Sequence, residues 1–131
     1  MKEEISMFQF DHIAFYVSSL EKSARFYQKL FDLKPIPNPF PQGKVWFELG
    51  ANLKLHLIEN SKGIAFASDR NHISFSTISL EDFTARLDHA GVGWSDFKGN
   101  LRTIRVRPDG VQQIYLQDPD GYWIEVNDIS Q

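Results

Sequence analysis

Three of the four histidines in this chain, His12, His56 and His72, together with Glu125, are the residues from which metal chemistry could follow. Each stands in a segment that alternates apolar and polar residues, the period-two signature of a strand. The sequence holds no cysteine, so disulfides, thiolate catalysis and zinc fingers are all excluded. A metal then has only His, Asp and Glu to bind. Imidazole and carboxylate in a partly apolar surround suit a divalent first-row ion such as Zn, Ni, Mn or Fe. The fourth histidine, His89, follows Leu87-Asp88 near a predicted helix C-terminus, where a cation is favoured by the dipole, and reads as a structural or surface residue.

The elements that must position these residues come from a repeat. Asp11-His12-Ile13-Ala14-Phe15 is matched 60 residues later by Asn71-His72-Ile73-Ser74-Phe75, and the same offset pairs Ser19 with Ser79, Leu20 with Leu80 and Glu21 with Glu81. The chain therefore reads as a duplication: one domain, 1–131, with module one at about 8–59, module two at about 71–128, and a join within Asn60–Arg70.

Each module opens with a strand, His12–Val17 or His72–Thr77, followed by a helix-start signature, Ser18-x-x-Glu21 or Ser79-x-x-Asp82. Leu20, Ala24, Tyr27 and Phe31 recur at helical spacing, as do Leu80, Phe83, Leu87 and Ala90. The helices are expected to fail near Asp32–Pro35 and Gly91–Gly93. Further strands are predicted at Lys44–Leu49, Leu53–Ile58, Arg102–Arg107, Val111–Gln117 and Tyr122–Asn127. Pro108-Asp109-Gly110 and Asp118-Pro119-Asp120-Gly121 are turns, and proline-rich Pro35–Gln42 is a loop or irregular edge strand. The fold class implied is α+β: two tandem βαβββ modules forming a cup-shaped mixed sheet, with helices on the outer face.

Because the apolar helix stripes need a partner, one sheet face must lie beneath them. Ile13, Phe15, Leu55, Leu57, Ile73, Phe75, Ile124 and Val126 belong to that face. His12, His56, His72, Trp123 and Glu125 fall on the other, with Glu48, Gln113, Tyr115 and Gln117. Tyr16, Trp46, Tyr115 and Trp123 are the candidate wall of a substrate site. Glu48 and Glu59 read as solvated rim charges, and Arg102, Arg105 and Arg107 as a charged edge strand.

The bulk numbers fit a soluble globular protein, at 42% hydrophobic and 24% charged residues. A net charge of −3 with mixed signs makes no electrostatic case for nucleic acid. No segment has the length of a membrane span, and Met1–Ser6 carries acidic residues where a secretory peptide needs a basic patch. The expected location is the cytoplasm and the expected partner a small-molecule substrate.

At His12-Ile13-Ala14-Phe15-Tyr16-Val17, Ser23-Ala24-Arg25-Phe26-Tyr27 and Asp118-Pro119-Asp120-Gly121-Tyr122-Trp123-Ile124-Glu125, the sequence resembles the vicinal oxygen chelate superfamily. That superfamily includes glyoxalase I, fosfomycin-resistance enzymes, methylmalonyl-CoA epimerase and extradiol dioxygenases. The resemblance runs from about Phe8 to Asn127. It implies metal ligands on the first and last strand of each module, at His12, His56, His72 and Glu125, with Glu125 also the catalytic proton-transfer group. It further implies a homodimer and a divalent metal that polarises vicinal oxygens of the substrate, in a lyase or isomerase. Oxygenation by a His12, His72 and Glu125 facial triad, fosfomycin-type thiol transfer, and metal-free drug binding are the alternatives. At His56 the chain departs from bacterial glyoxalase I, which resembles it but usually has a carboxylate there; a neutral imidazole is a poor replacement for that base.

Overall fold

The computed structural model describes residues 7–40, 42–60, 62 and 71–129. Met1–Ser6, and the expected join apart from Asn60 and Lys62, lie outside the described residues. Two compact units divide the chain, Met1–Gly63 and Ile64–Gln131. The first carries β1 (His12–Val17), α1 (Leu20–Phe31), β2 (Lys34–Ile36), β3 (Lys44–Gly50) and β4 (Leu53–Glu59). The second repeats the order with β5 (His72–Ser76), α2 (Leu80–His89), β6 (Arg105–Val106), β7 (Gln112–Gln117) and β8 (Trp123–Asn127). Each unit forms a mixed four-stranded sheet, ordered β1-β4-β3-β2 in one and β5-β8-β7-β6 in the other. In both, the first and last strands pair in parallel and the remaining pairs are antiparallel. The architecture is thus α+β, with two tandem βαβββ modules. No helix among the described residues is long and apolar enough to cross a membrane.

The helices begin at equivalent serines. Ser79 Oγ accepts from Asp82 N at 3.0 Å, and Ser19 Oγ accepts from Lys22 N at 3.3 Å. The cap of α1 is therefore Ser19 rather than Ser18, in keeping with the repeat offset. Glu59 is exposed, as expected of a rim charge, and its Oε1 also accepts the α1 backbone N–H of Leu20 at 2.9 Å, placing a carboxylate at the positive helix end. The buried stripe of α1 is Ser23, Tyr27 and Leu30, one residue away from parts of the predicted one. Serine at 23 is small enough to be fully covered where α1 packs on β3 and β4. In α2, Thr84 is buried while Ala90, at the C-cap, is exposed. Asp32, with φ of 55°, ends α1 in the left-handed region.

The core of module one contains Val17, Tyr27, Phe47, Leu55 and Leu57, all fully buried. Module two buries Leu87, Ile114 and Ile124 as completely. The proline-rich segment supplies the edge strand β2, where Pro35 sits opposite Phe47, an edge being where a missing N–H is tolerated. The strand predicted at Arg102–Arg107 is only two residues long. Ser95 accounts for the difference, since it exchanges both backbone hydrogen bonds with Tyr115, at 2.9 and 2.8 Å, and so takes the edge of β7 that the longer strand would need. Arg102 instead turns through φ of 54° and pairs with Asp88. Arg105 lies over the Phe97 ring and donates to Gln113, and Arg107 pairs with Asp109.

The turn ahead of β8 is organised by Asp118, which is buried and whose Oδ1 accepts from Asp120 N at 2.9 Å and Tyr122 N at 3.0 Å. Gly121 follows at φ of 89°, a conformation costly for other residues. Asp118→Ala is expected to destabilise the fold by about 1–3 kcal/mol, because two N–H groups lose their acceptor. Asp118→Asn should retain most of that stability. Urea unfolding of the two variants checks the difference.

Candidate functional site

Register places the four predicted donors in equivalent pairs. His12 stands opposite Lys54 in the β1–β4 ladder, and Ala14 opposite His56. In the β5–β8 ladder His72 stands opposite Trp123, and Ser74 opposite Glu125. His56 and Glu125 therefore each lie one pleat beyond the residue facing their module's histidine, on the same sheet face. The next strand repeats the correspondence, since Trp46 is opposite His56 and Tyr115 opposite Glu125.

In module one the rings of His12, His56 and Trp46 form a continuous stack. The centroids of His12 and His56 are 4.0 Å apart at 12°, and those of His56 and Trp46 are 3.9 Å apart at 2°. His56 is buried, and its Nε2 has no hydrogen-bond partner among the described residues. An orphaned buried polar atom carries a desolvation cost of about 1–3 kcal/mol and calls for an explanation. Burial, and then the adjacent His12, hold the proton affinity of His56 below that of an ordinary histidine, so the ring is a neutral donor. His12 is exposed and its Nδ1 lies 2.7 Å from Asp11 Oδ2. With the Nδ1 proton given to Asp11, Nε2 carries the lone pair, the arrangement in which a carboxylate orients a metal-binding imidazole. The hydrogen bond from His12, then the charge of Lys54, keep the Asp11 carboxyl below the usual range. These residues border a cleft of about 520 Å³ that also includes Phe40, Lys44 and Ile58.

Module two builds a different surround on the same frame. Glu125 is buried, with Oε1 3.4 Å from His72 Nε2 and accepting from Tyr115 Oη at 3.2 Å. Its Oε2 accepts from Asn127 Nδ2 at 2.7 Å and from Ser74 Oγ at 3.2 Å. Burial alone would raise the carboxyl pKa. The hydrogen bonds from Asn127, Ser74 and Tyr115, with the nearby His72, outweigh it and leave the pKa lowered. The Tyr115 ring meets His72 edge to face, with centroids 5.5 Å apart.

Of the predicted substrate wall, Trp46 and Tyr115 lie directly beside a donor. Trp123 faces His72 in the ladder, and Tyr16, about half exposed, is not among the residues lining the module-one cleft. His89 closes α2, away from both pairs in sequence and in strand register. Asp11, Ser74 and Asn127 are site residues that the sequence reading did not single out. Alternation could have found two of them, since Ser74 is two residues beyond His72 and Asn127 two beyond Glu125.

The donor chemistry fits a divalent metal, with three imidazoles and an ionised carboxylate. Among the described residues no three of His, Cys, Asp and Glu gather as a metal-holding group. The stacked rings of His12 and His56 also lie face to face, so a common ion requires the exposed His12 ring to turn. For metal-free protein, Asn127→Leu is expected to raise the Glu125 pKa, because the shortest hydrogen bond to the carboxylate is lost. With its pKa depressed, Glu125 contributes stability that is present above the unfolded carboxyl value and lost as pH falls through the folded one. The variant should therefore lose less stability on acidification. Side-chain carboxyl NMR titration and pH-dependent unfolding measure the two effects.

The glyoxalase/bleomycin resistance protein/dioxygenase superfamily matches residues 9–126. The chain is 27% identical over 140 residues to glyoxylase I 4 of Arabidopsis thaliana, spanning 96% of this chain and 76% of that one. It is 30% identical over 120 residues to the metallothiol transferase FosB of Shouchella clausii (strain KSM-K16), spanning 89% and 77%. Among solved structures, a glyoxalase family protein from Bacillus anthracis superposes with a TM-score of 0.70 at 25% identity, covering 98% of each chain. On the extent of the family match, and on the paired βαβββ modules that accompany it, the chain belongs to the glyoxalase/bleomycin resistance protein/dioxygenase superfamily.

Proposed function

We propose that the chain is a metal-dependent enzyme of lyase or isomerase type acting on a small oxygen-rich substrate. His12 and His56 of module one and His72 and Glu125 of module two are the proposed ligands of one divalent ion, drawn from one chain or from two copies in a homodimer. The observation that carries this reading is the identical register of the two donor pairs. The orphaned Nε2 of His56 adds to it. A bound divalent ion would supply Lewis-acid polarisation of vicinal substrate oxygens.

The chain's own groups divide the remaining work. Asp11 fixes the tautomer of His12, and Ser74, Tyr115 and Asn127 hold Glu125 as an anion. The same hydrogen bonds that suit Glu125 to a ligand role weaken it as a base. Tyr115 Oη donates to Oε1, the carboxylate oxygen that His72 Nε2 also approaches. The aromatic rings of Trp46 and Tyr115 limit water beside the donors. The likeness to FosB favours thiol transfer as a second reading.

His12→Ala and His72→Ala are each expected to weaken Zn²⁺ or Ni²⁺ binding by at least about tenfold, while His89→Ala leaves it unchanged. Calorimetry with metal analysis checks this, and loss of metal in His89→Ala to the same extent would defeat the assignment. Because Trp46 stacks on His56, metal addition should also change tryptophan fluorescence in the wild type.

Three neutral imidazoles, one carboxylate and a divalent ion sum to a charge of about +1, against about zero for two histidines and two carboxylates. His56→Glu is accordingly expected to raise any isomerisation of a glutathione hemithioacetal, since it supplies a second carboxylate base. Steady-state assays at equal metal occupancy test this. A wild type that is already efficient, with His56→Glu slower, would show that two carboxylates are not needed.

A further inference from the structure

Strand alternation on β3 puts Lys44 and Trp46 on one face, with Lys44 opposite Ile58 and Trp46 opposite His56. Both line the module-one cleft together with Phe40. Its volume of about 520 Å³ is in the range of small-molecule sites. The charged groups around it are not equivalent. Asp11 is occupied by His12 at 2.7 Å and by Lys54 Nζ at 3.6 Å, and Lys54 also donates to the carbonyl of Asn52 at 3.1 Å. Lys44 has no carboxylate partner among the described residues. Its Nζ lies 5.0 Å from the centroid of the Phe40 ring, held by the attraction of a cation for an aromatic face.

The aromatic surface is equally uneven in its commitments. One face of Trp46 is covered by His56. Phe40 is tilted against Trp46 with centroids 6.3 Å apart, and half of Phe40 is exposed. The Phe40 loop is pinned locally: Asn38 Oδ1 accepts from Phe40 N at 2.8 Å, and Asn38 Nδ2 donates to Lys44 O at 3.5 Å. An ammonium with no carboxylate partner among the described residues thus stands beside a partly exposed ring and a second ring that lines the cleft. A flat apolar group would gain contact with the rings, and a negative charge on it would gain the ammonium.

We propose that the module-one cleft binds organic anions that carry a flat aromatic or conjugated group, with Lys44 selecting the charge and Phe40 and Trp46 the ring. This rests on the proposed enzyme reading in which His12 and His56, which border this cleft, are metal ligands, and it names the class of substrate. Charge selection by Lys44 does not need the metal, so it is tested on metal-free protein in the presence of a chelator.

The experiment is calorimetric titration with 2-naphthalenesulfonate and with its neutral counterpart of nearly the same shape, 2-naphthalenesulfonamide. Wild type should bind the sulfonate about tenfold more tightly, the equivalent of one charge-assisted contact. Lys44→Met and Lys44→Gln should each abolish that preference while leaving sulfonamide affinity within about twofold, and Lys44→Arg should keep it. Phe40→Ala should weaken both probes by a similar factor. Equal affinity of wild type for the two probes, absence of binding, or a preference that survives in both Lys44→Met and Lys44→Gln would overturn the proposal. Metal titration of the same preparations is read separately, so failure of the metal assignment and failure of charge selection give different results.

Discussion

Parallel pairing of the first and last strands of each module is the constraint on which every other feature of the site depends. β1 and β5 cannot reach β4 and β8 through a hairpin, so the connection passes through a helix and further strands before returning. The return must land in one register, because a slip of one residue would turn every side chain to the opposite face. In the observed register Leu55 and Leu57 are fully buried while His56, between them, faces the other way. In module two Ile124 and Val126 enclose Glu125 in the same manner. Core burial and donor placement are therefore a single decision. The hydrophobic residues that fix the register also aim the imidazole and the carboxylate.

On this shared frame the two modules have diverged into chemically opposite surrounds. His56 is bordered in the ladder by Ala14 and Trp46, neither of which offers its ring a hydrogen bond. Glu125 is bordered by Ser74 and Tyr115, both of which donate to it, and Asn127 adds the shortest bond. Desolvation acts on both groups and disfavours charge in both. The imidazole answers by remaining neutral and the carboxylate is kept charged by its donors. One frame thus holds a neutral nitrogen donor and an anionic oxygen donor at equivalent positions.

The supporting turns act through the same ladders. Glu59, the last residue of β4, reaches the first turn of α1, so the strand that carries His56 also anchors the helix packed behind it. Asp118 ties the backbone entering β8, and Ser95 completes the edge of β7 beside Tyr115. Glu59 and Asp118 accept from backbone N–H groups with their side chains, and Ser95 pairs through its own backbone. The site is placed by strands and kept in place by these local closures.

The duplication, the strand and helix order and the equivalence of His12 with His72 were legible in the sequence, because they depend on local periodicity and on a repeat offset visible as letters. His56 and Glu125 could be assigned to the donor face by alternation alone. What alternation does not encode is which strand lies beside which. The ring stack of His12, His56 and Trp46, and the three donors to Glu125, arise from cross-strand register. Glu59 is the exposed charge that its sequence implied, and it also caps a helix 39 positions away, which no spacing announces. Arg102–Arg107 resembled a strand, yet Ser95 competes for the same edge. A residue's type and spacing fix which way its side chain faces along its own strand, but its partner comes from another segment, and only the folded backbone brings the two within bonding distance.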